Sequence, residues 1–522
     1  MYLFDRIFQK ACFTLSLIAV FSISSSFATS IEPQKVDEVV EHAMKTFNVP
    51  GMAVGIIHKN EIILAKGYGV ADISTGAPVD AQTNFGIASN SKAFTATALA
   101  LLVDQGKLDW DDAVKKYIPE FKMYNEYVTE EFTIRDLLVH RSGLGLGAGD
   151  LMVWPDGHDF TPQDIIDNIQ YLKPVSRFRT KYDYDNLLYI IAGVVIERVS
   201  GQSWQDYIQD HFLTPLEMTR TAANWNRLKD TSNAIVPHVP IDGALSIIDR
   251  YTNPIFDAAA GLYSNVEDLS KWVQFQLNLG HLPDGEQLVS KTQMQELSKP
   301  QTLMPIRTVA PYNTLFRAYG LGFVLQDVAG KLEVSHTGGL EGIVTQVIMY
   351  PQLDLGIIVL TNQQQGAAFM AVSNTIKDHY LGLPKNEWVT YYEDLIGKRT
   401  AAADEVTAEV WTTVDQNKRR DFPYKNEIMG KYRDLWFGDV EISKVKQQYR
   451  FVSKRSSQLQ GDLYHYKDNI YAVKWDNRYL HADAFVYLEV ENEKVVGMTM
   501  KPISPLTDFS YDFQDLDFEK VD

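Results

Sequence analysis

The spacing of apolar residues changes several times along this chain. Residues 52–68 alternate around Lys59-Asn60, which predicts a β-hairpin. Residues 93–105 are rich in Ala and Leu and are followed by Gly106, which predicts a helix closed by a glycine stop. Residues 187–199 predict another helix, ending before Gly201. Helical spacing dominates between Lys92 and Gly280. Period-two runs then return at Leu332/Val334, 344–350 and 355–360. From Lys385 to Asn426 the pattern is charged and helical, including 402–418. Beyond Glu427 short alternating segments follow, at Val440/Ile442, Tyr471/Val473/Trp475, Phe485/Tyr487 and Val496/Met498/Met500, with turn residues such as Asp468-Asn469 and Asp476-Asn477 between them.

This pattern divides the chain into a leader (1–28), a mixed unit (29–384), a helical connector (385–426) and a β-rich unit (427–522). The fold class is α+β. The hairpin and the strands around His336 are expected in one antiparallel sheet flanked by helices, beside a second, helical lobe.

The leader has the features of an export signal. Arg6 and Lys10 precede an apolar stretch over 11–23, and Ser26-Phe27-Ala28 fits a small-x-small cleavage site, so cleavage is expected after Ala28. The expected location is periplasmic or secreted. The apolar stretch is short for a membrane span, so no integral span is expected once the leader is removed. Cys12 is the only cysteine and lies inside the leader, which excludes disulfides and a cysteine nucleophile from the remainder. A formal charge of −18 argues against nucleic acid or an anionic membrane as a direct partner. No H-E-x-x-H or G-x-S-x-G occurs, so neither a zinc protease nor an α/β-hydrolase elbow is indicated. The glycine-rich stretch 142–149 follows a helix-like segment rather than a strand, which disfavours nucleotide binding.

Three motifs carry candidate chemistry. In Ser89-Asn90-Ser91-Lys92 the three-residue spacing puts a hydroxyl and an amine on one helical face. Ser89 would sit at the first turn, where free N–H groups favour a developing negative charge. Burial by Phe85, Ile87 and Phe94 would lower the lysine pKa, as a base requires. A second S-x-x-K, at Ser443-Lys446, lies in strand-like alternation and would not share a face. Tyr184-Asp185-Asn186 precedes a helix and supplies a phenol and an amide. Its rival Tyr263-Ser264-Asn265 reads as a capping box, with Ser264 and Glu267 opening a helix. In His336-Thr337-Gly338-Gly339 the glycines let a substrate backbone come close and add along a strand edge. Trp154, Tyr251 and Tyr319 are further candidates, as substrate platforms.

Together these motifs resemble the serine β-lactamase and penicillin-binding protein superfamily, in its class C-like branch. The resemblance runs from about Val36 to Tyr380. It includes Val49-Pro50-Gly51, Thr133 to Leu138, His140-Arg141-Ser142-Gly143-Leu144, Gly261-Leu262-Tyr263-Ser264 and Val359-Leu360-Thr361-Asn362. It implies a β-lactamase/transpeptidase-like fold, and the terminal unit resembles the lipocalin-like β-barrel often appended to such hydrolases. It also implies Ser89 as acylated nucleophile, Lys92 as base and Tyr184 as proton shuttle. Backbone N–H groups of Ser89 and Gly339 would form the oxyanion hole. Asn186, His336, Thr337 and Gly338 would bind substrate. No cofactor or metal is implied.

Class C β-lactamases usually carry lysine where this chain has His336. A histidine is largely neutral near pH 7, so efficient destruction of carboxylate-bearing antibiotics is less expected than peptide or ester hydrolysis. The expected partner is a small-molecule or peptide substrate, most readily a D-amino-acid peptide or an ester. A β-lactamase or DD-carboxypeptidase is the alternative enzyme. A non-catalytic sensor of cell-wall fragments is the alternative outside enzymes. Oligomeric state is not legible in the residues.

Overall fold

Two strands of almost uninterrupted apolar sequence, Gly51–His58 and Leu355–Thr361, pair antiparallel at the centre of a large sheet and are buried along their whole lengths. A strand reads this way when both faces are covered. Val54, Ile56, Ile357 and Val359 face one side, against Val36 and Val40 of the helix Pro33–Thr46 and Val372 and Ile376 of the helix Gly366–Tyr380. Ala53, Ile358 and Leu360 face the other, with Leu269, Trp272 and Val273 of the helix Val266–Leu277. The computed structural model describes residues 30–306, 311–417 and 423–521. The leader 1–28 lies outside the described residues.

The sheet has nine strands, all antiparallel. Their order is Ala77–Pro78, Glu61–Asp72, Gly51–His58, Leu355–Thr361, Ile343–Tyr350, Lys331–Leu340, Val324–Val328, Arg317–Tyr319 and Thr302–Leu303. The hairpin over 52–68 and the strands around His336 therefore share one sheet, as expected. His336 to Gly339 lie within the strand Lys331–Leu340, in register with Val347 to Val344.

The second lobe is mostly helical, with a small hairpin of His238–Ile241 and Ala244–Ile247. At its centre is the helix Ser91–Asp104, buried from Ser91 to Leu102 on every side. Such a helix is a core element, and its alanines let the helix Leu187–Ser200 approach closely. Glu267 does not cap the helix Val266–Leu277 with Ser264. Asn265 does so, accepting from the Asp268 N–H, while Ser264 sits in a two-residue strand paired with Phe85. The amide of Asn265 stands one residue closer to the free N–H groups.

The helix Trp388–Asn417 has 30 residues and spans about 45 Å at about 1.5 Å per residue. It leads to a closed antiparallel barrel of eight strands, from Gly430–Asp434 to Asp517–Lys520. Closure pairs Tyr432 with Lys520 and removes every free sheet edge. Val440, Ile442, Phe451, Val473, Trp475 and Met498 belong to the buried core. The barrel docks on the helical lobe. Arg455 pairs with Asp159 at 2.7 Å and Asp164 at 3.0 Å, and Asn168 Nδ2 donates to the Trp436 carbonyl at 3.0 Å.

Candidate active site

Ser89 stands in a single 3-10 turn, Ala88–Asn90, that leads into the helix Ser91–Asp104. Ala88 adopts φ 49°, a left-handed conformation that costs an alanine on the order of 1 kcal/mol. The turn is pinned from both sides. Asn90 Nδ2 donates to Thr345 Oγ1 at 2.9 Å, and Ser91 Oγ accepts from the Leu262 N–H at 3.1 Å.

Lys92 is fully buried, and its Nζ has three oxygen neighbours: Ser89 Oγ at 3.2 Å, Asn186 Oδ1 at 2.7 Å and the Ala259 carbonyl at 3.1 Å. Two of these oxygens can only accept. A neutral amine has two N–H bonds, which go to Asn186 and Ala259, so its lone pair is left facing the Ser89 hydroxyl. Burial lowers the Lys92 pKa to about 7, against the upward pull of Asp150 and Asp185. A substantial neutral fraction therefore exists near neutral pH. Such an amine can take the serine proton.

The ring of Tyr184 lies 4.9 Å from Lys92 Nζ. Burial pushes its pKa well above the usual phenol range, partly offset by a hydrogen bond with Ser89. Tyr184 thus keeps its proton at neutral pH. Beneath it lies His140, an unanticipated member of the site. Its ring is 4.3 Å from Tyr184 and 4.4 Å from Tyr319, and its Nδ1 accepts from the Asp185 N–H at 3.1 Å. Burial holds His140 neutral, so it serves as an aromatic floor. The only signal for it in the sequence was its place in the stretch His140 to Leu144.

The third motif divides along its strand. Thr337 and Gly339 are exposed, whereas His336 and Gly338 point inward. A Cβ on Gly339 would meet nothing within 4 Å, so its backbone borders open space. Gly338 packs against the Ser89 turn. A Cβ there would lie 2.3 Å from the Ile87 carbonyl oxygen and 2.9 Å from the Ala88 Cβ, so its missing side chain makes room for the nucleophile turn. His336, expected to bind substrate, does not face open space. It is buried, with Nε2 2.9 Å from the Tyr319 hydroxyl and Nδ1 2.6 Å from the Thr337 carbonyl. Burial, followed by the charge of Lys92, lowers its pKa to about 3, so it is a neutral strut.

Asn186 holds Lys92 through its oxygen, while its Nδ2 donates to Asp150 Oδ2 at 2.7 Å. Trp154, Tyr251 and Tyr319 are buried rather than displayed as platforms. Ser443 lies on the barrel strand Gly438–Val445, in a different unit from Ser89. Among the described residues no group of three or more His, Cys, Asp or Glu side chains could hold a metal ion, and no helix is long and apolar enough to cross a membrane.

A large antiparallel sheet with a helical lobe, and a serine, a lysine and a tyrosine meeting between them, make up the β-lactamase/transpeptidase-like fold and its candidate site. The Beta-lactamase family model matches residues 36–381, and the chain belongs to that family. Residues 426–520 match a domain of unknown function, DUF3471. "Protein flp" of Staphylococcus aureus (strain MW2) is 29% identical over 339 residues, covering 64% of this chain and 64% of that protein. "Unguisins hydrolase ungD" of Aspergillus violaceofuscus (strain CBS 115571) is 27% identical over 445 residues, covering 77% of this chain and 74% of its own. Among solved structures, the octameric penicillin-binding protein homologue from Pyrococcus abyssi aligns with a TM-score of 0.60 at 20% identity, over 94% of this chain and all of that one. A class C β-lactamase from Rhodobacter sphaeroides aligns with a TM-score of 0.55 at 18% identity, over 66% of this chain and 99% of its own.

Proposed function

We propose that this protein is an exported serine hydrolase that cleaves an amide or ester bond through an acyl-enzyme at Ser89, with a D-amino-acid peptide or an ester as substrate. The observation that carries this reading is the three-oxygen environment of Lys92, which leaves its lone pair for Ser89. In the forward step the Ser89 oxygen attacks the carbonyl carbon as its proton passes to Lys92. The N–H groups of Ser89 and Gly339 receive the oxyanion, a contribution of roughly 10²–10³ in rate per donor. Tyr184 passes its proton to the leaving group and takes back the one held by Lys92. Water then attacks the acyl carbon, its proton passing to Lys92 and from there to the departing Ser89 oxygen. Thr337 and Gly339 offer the exposed edge along which an extended acyl chain can pair. His336 is buried and neutral, so it offers no cation to a substrate carboxylate. The leader pattern in residues 1–28 supports export.

Intact-mass analysis after exposure to a fluorophosphonate, an activated ester and a penicillin, followed by peptide mapping, tests the reading. The expected result is a covalent adduct on Ser89 with the fluorophosphonate and a transient one with the ester. A stable penicillin adduct without turnover would favour the cell-wall sensor instead. Labelling that persists in Ser89→Ala would remove the proposed nucleophile.

A further inference from the structure

The polar line through Lys92 and Asn186 does not stop in the helical lobe. Asp150 Oδ2 accepts from Asn186 Nδ2 at 2.7 Å and also from Ser510 Oγ at 2.9 Å. Ser510 belongs to the segment between the last two barrel strands, Lys494–Pro502 and Asp517–Lys520. Its neighbours reach the same place. Asp512 accepts the backbone N–H of Gly149 through Oδ2. Phe509 meets Tyr184 edge to face, with ring centroids 5.7 Å apart at 80°. A Cβ on Gly147 would lie 2.6 Å from the Phe509 carbonyl oxygen, so the two backbones touch. Asp150, Ser510 and Asp512 are all buried.

A side-chain amide can rotate end for end. Turned one way Asn186 presents its oxygen to Lys92; turned the other way it presents an NH₂, and donor faces donor. The acceptor at Asp150 Oδ2 fixes the first orientation. The other carboxyl oxygen of Asp150, Oδ1, has no hydrogen-bond partner among the described residues, so the two donors at Oδ2 set how this carboxyl sits.

We propose that the C-terminal barrel completes the hydrolytic centre: Ser510 fixes Asp150, Asp150 fixes the Asn186 amide, and the amide directs the Lys92 lone pair at Ser89. Ser510 and Asp150 are thus positioning residues. This inference rests on Ser89 and Lys92 acting as nucleophile and base.

The test uses the full chain, an activated p-nitrophenyl ester as probe, and two pairs of variants. Ser510→Ala removes one donor and Ser510→Thr restores it. Asp150→Leu removes the acceptor, and Asp150→Asn keeps an oxygen for both donors. The expected result is a fall in kcat of about tenfold or more for Ser510→Ala and Asp150→Leu, with KM within about twofold. Ser510→Thr and Asp150→Asn should recover most of the rate. The inference is overturned if Ser510→Ala keeps the wild-type kcat, or if Asp150→Asn loses as much as Asp150→Leu. If Asp150→Leu does not fold, the Ser510 pair decides. Ser89→Ala separates the two readings. Turnover by that variant defeats the nucleophile itself, whereas a dead Ser89→Ala beside a fully active Ser510→Ala defeats only the role of the barrel.

Discussion

Gly338 lies against Ile87 so closely that a single methyl group on it would stand 2.3 Å from the Ile87 carbonyl oxygen. The strand Lys331–Leu340 and the turn that carries Ser89 are thus packed backbone to backbone, and this contact sets the distance between Ser89 and the strand edge.

Gly338→Ala and Gly339→Ala should therefore behave differently, although the two residues are adjacent. Gly338→Ala forces the turn outward and is expected to cost about 1–3 kcal/mol of stability and nearly all activity. Gly339→Ala meets open space and should fold normally, losing activity only where the new methyl group meets substrate. Thermal unfolding and ester turnover of both variants check this. Equal melting temperatures would contradict the close packing.

Activity should rise with pH through the Lys92 titration. The working form is the neutral amine, and burial places its pKa at about 7, so the acid limb of kcat/KM should fall near pH 7. Lys92→Arg keeps the positive charge at all accessible pH and should lower kcat/KM at least about 10³-fold. An acid limb below about pH 5 would argue that Lys92 is not the base.

His336→Lys tests the buried strut. The substitution removes the contacts to Tyr319 and Thr337 and brings a second ammonium towards Lys92. The expected outcome is a loss of roughly 1–3 kcal/mol in stability, with no gain toward carboxylate-bearing substrates. A gain in penicillin hydrolysis at unchanged stability would show that the side chain reaches the cleft.

Glu341 gives a pH-dependent stability. Burial raises its pKa to about 8, above the value near 4.3 of an unfolded glutamate. Below about pH 4 both states hold the proton and nothing is lost; as pH rises toward 8 the unfolded chain ionises first, and the folded state is progressively disfavoured. Glu341→Gln removes this loss, so the Tm of the wild type relative to the variant should decline from pH 5 to 8. The comparison isolates this group from buried His140 and His336, whose depressed values act in the opposite sense. Parallel Tm curves would rule the effect out.

What could be read from the residues was what local spacing determines. Ser89 and Lys92 are three positions apart in a run that is helical by composition, so their proximity follows from helix geometry. The central strands announce themselves by apolar runs. His336 was misjudged because its orientation depends on Tyr319, a partner in a different strand. A glycine such as Gly338 shows only that space is needed, not which neighbour needs it. Asp150 and Ser510 were invisible for a stronger reason: they are 360 residues apart, and neither lies in a motif. Burial and pairing at that distance are properties of the packed chain alone.

The order in which the chain is made gives the Ser510–Asp150 contact a further consequence. Ser510 follows Asp150 by 360 residues, which corresponds to roughly 20–70 s of synthesis at about 5–20 residues per second. Until Ser510 is made and docked, the carboxyl group behind the lysine and serine lacks its hydroxyl. The Asn186 amide would then reach its final setting only after the distal barrel has been made and docked, a delay set by chain order rather than by any inhibitor.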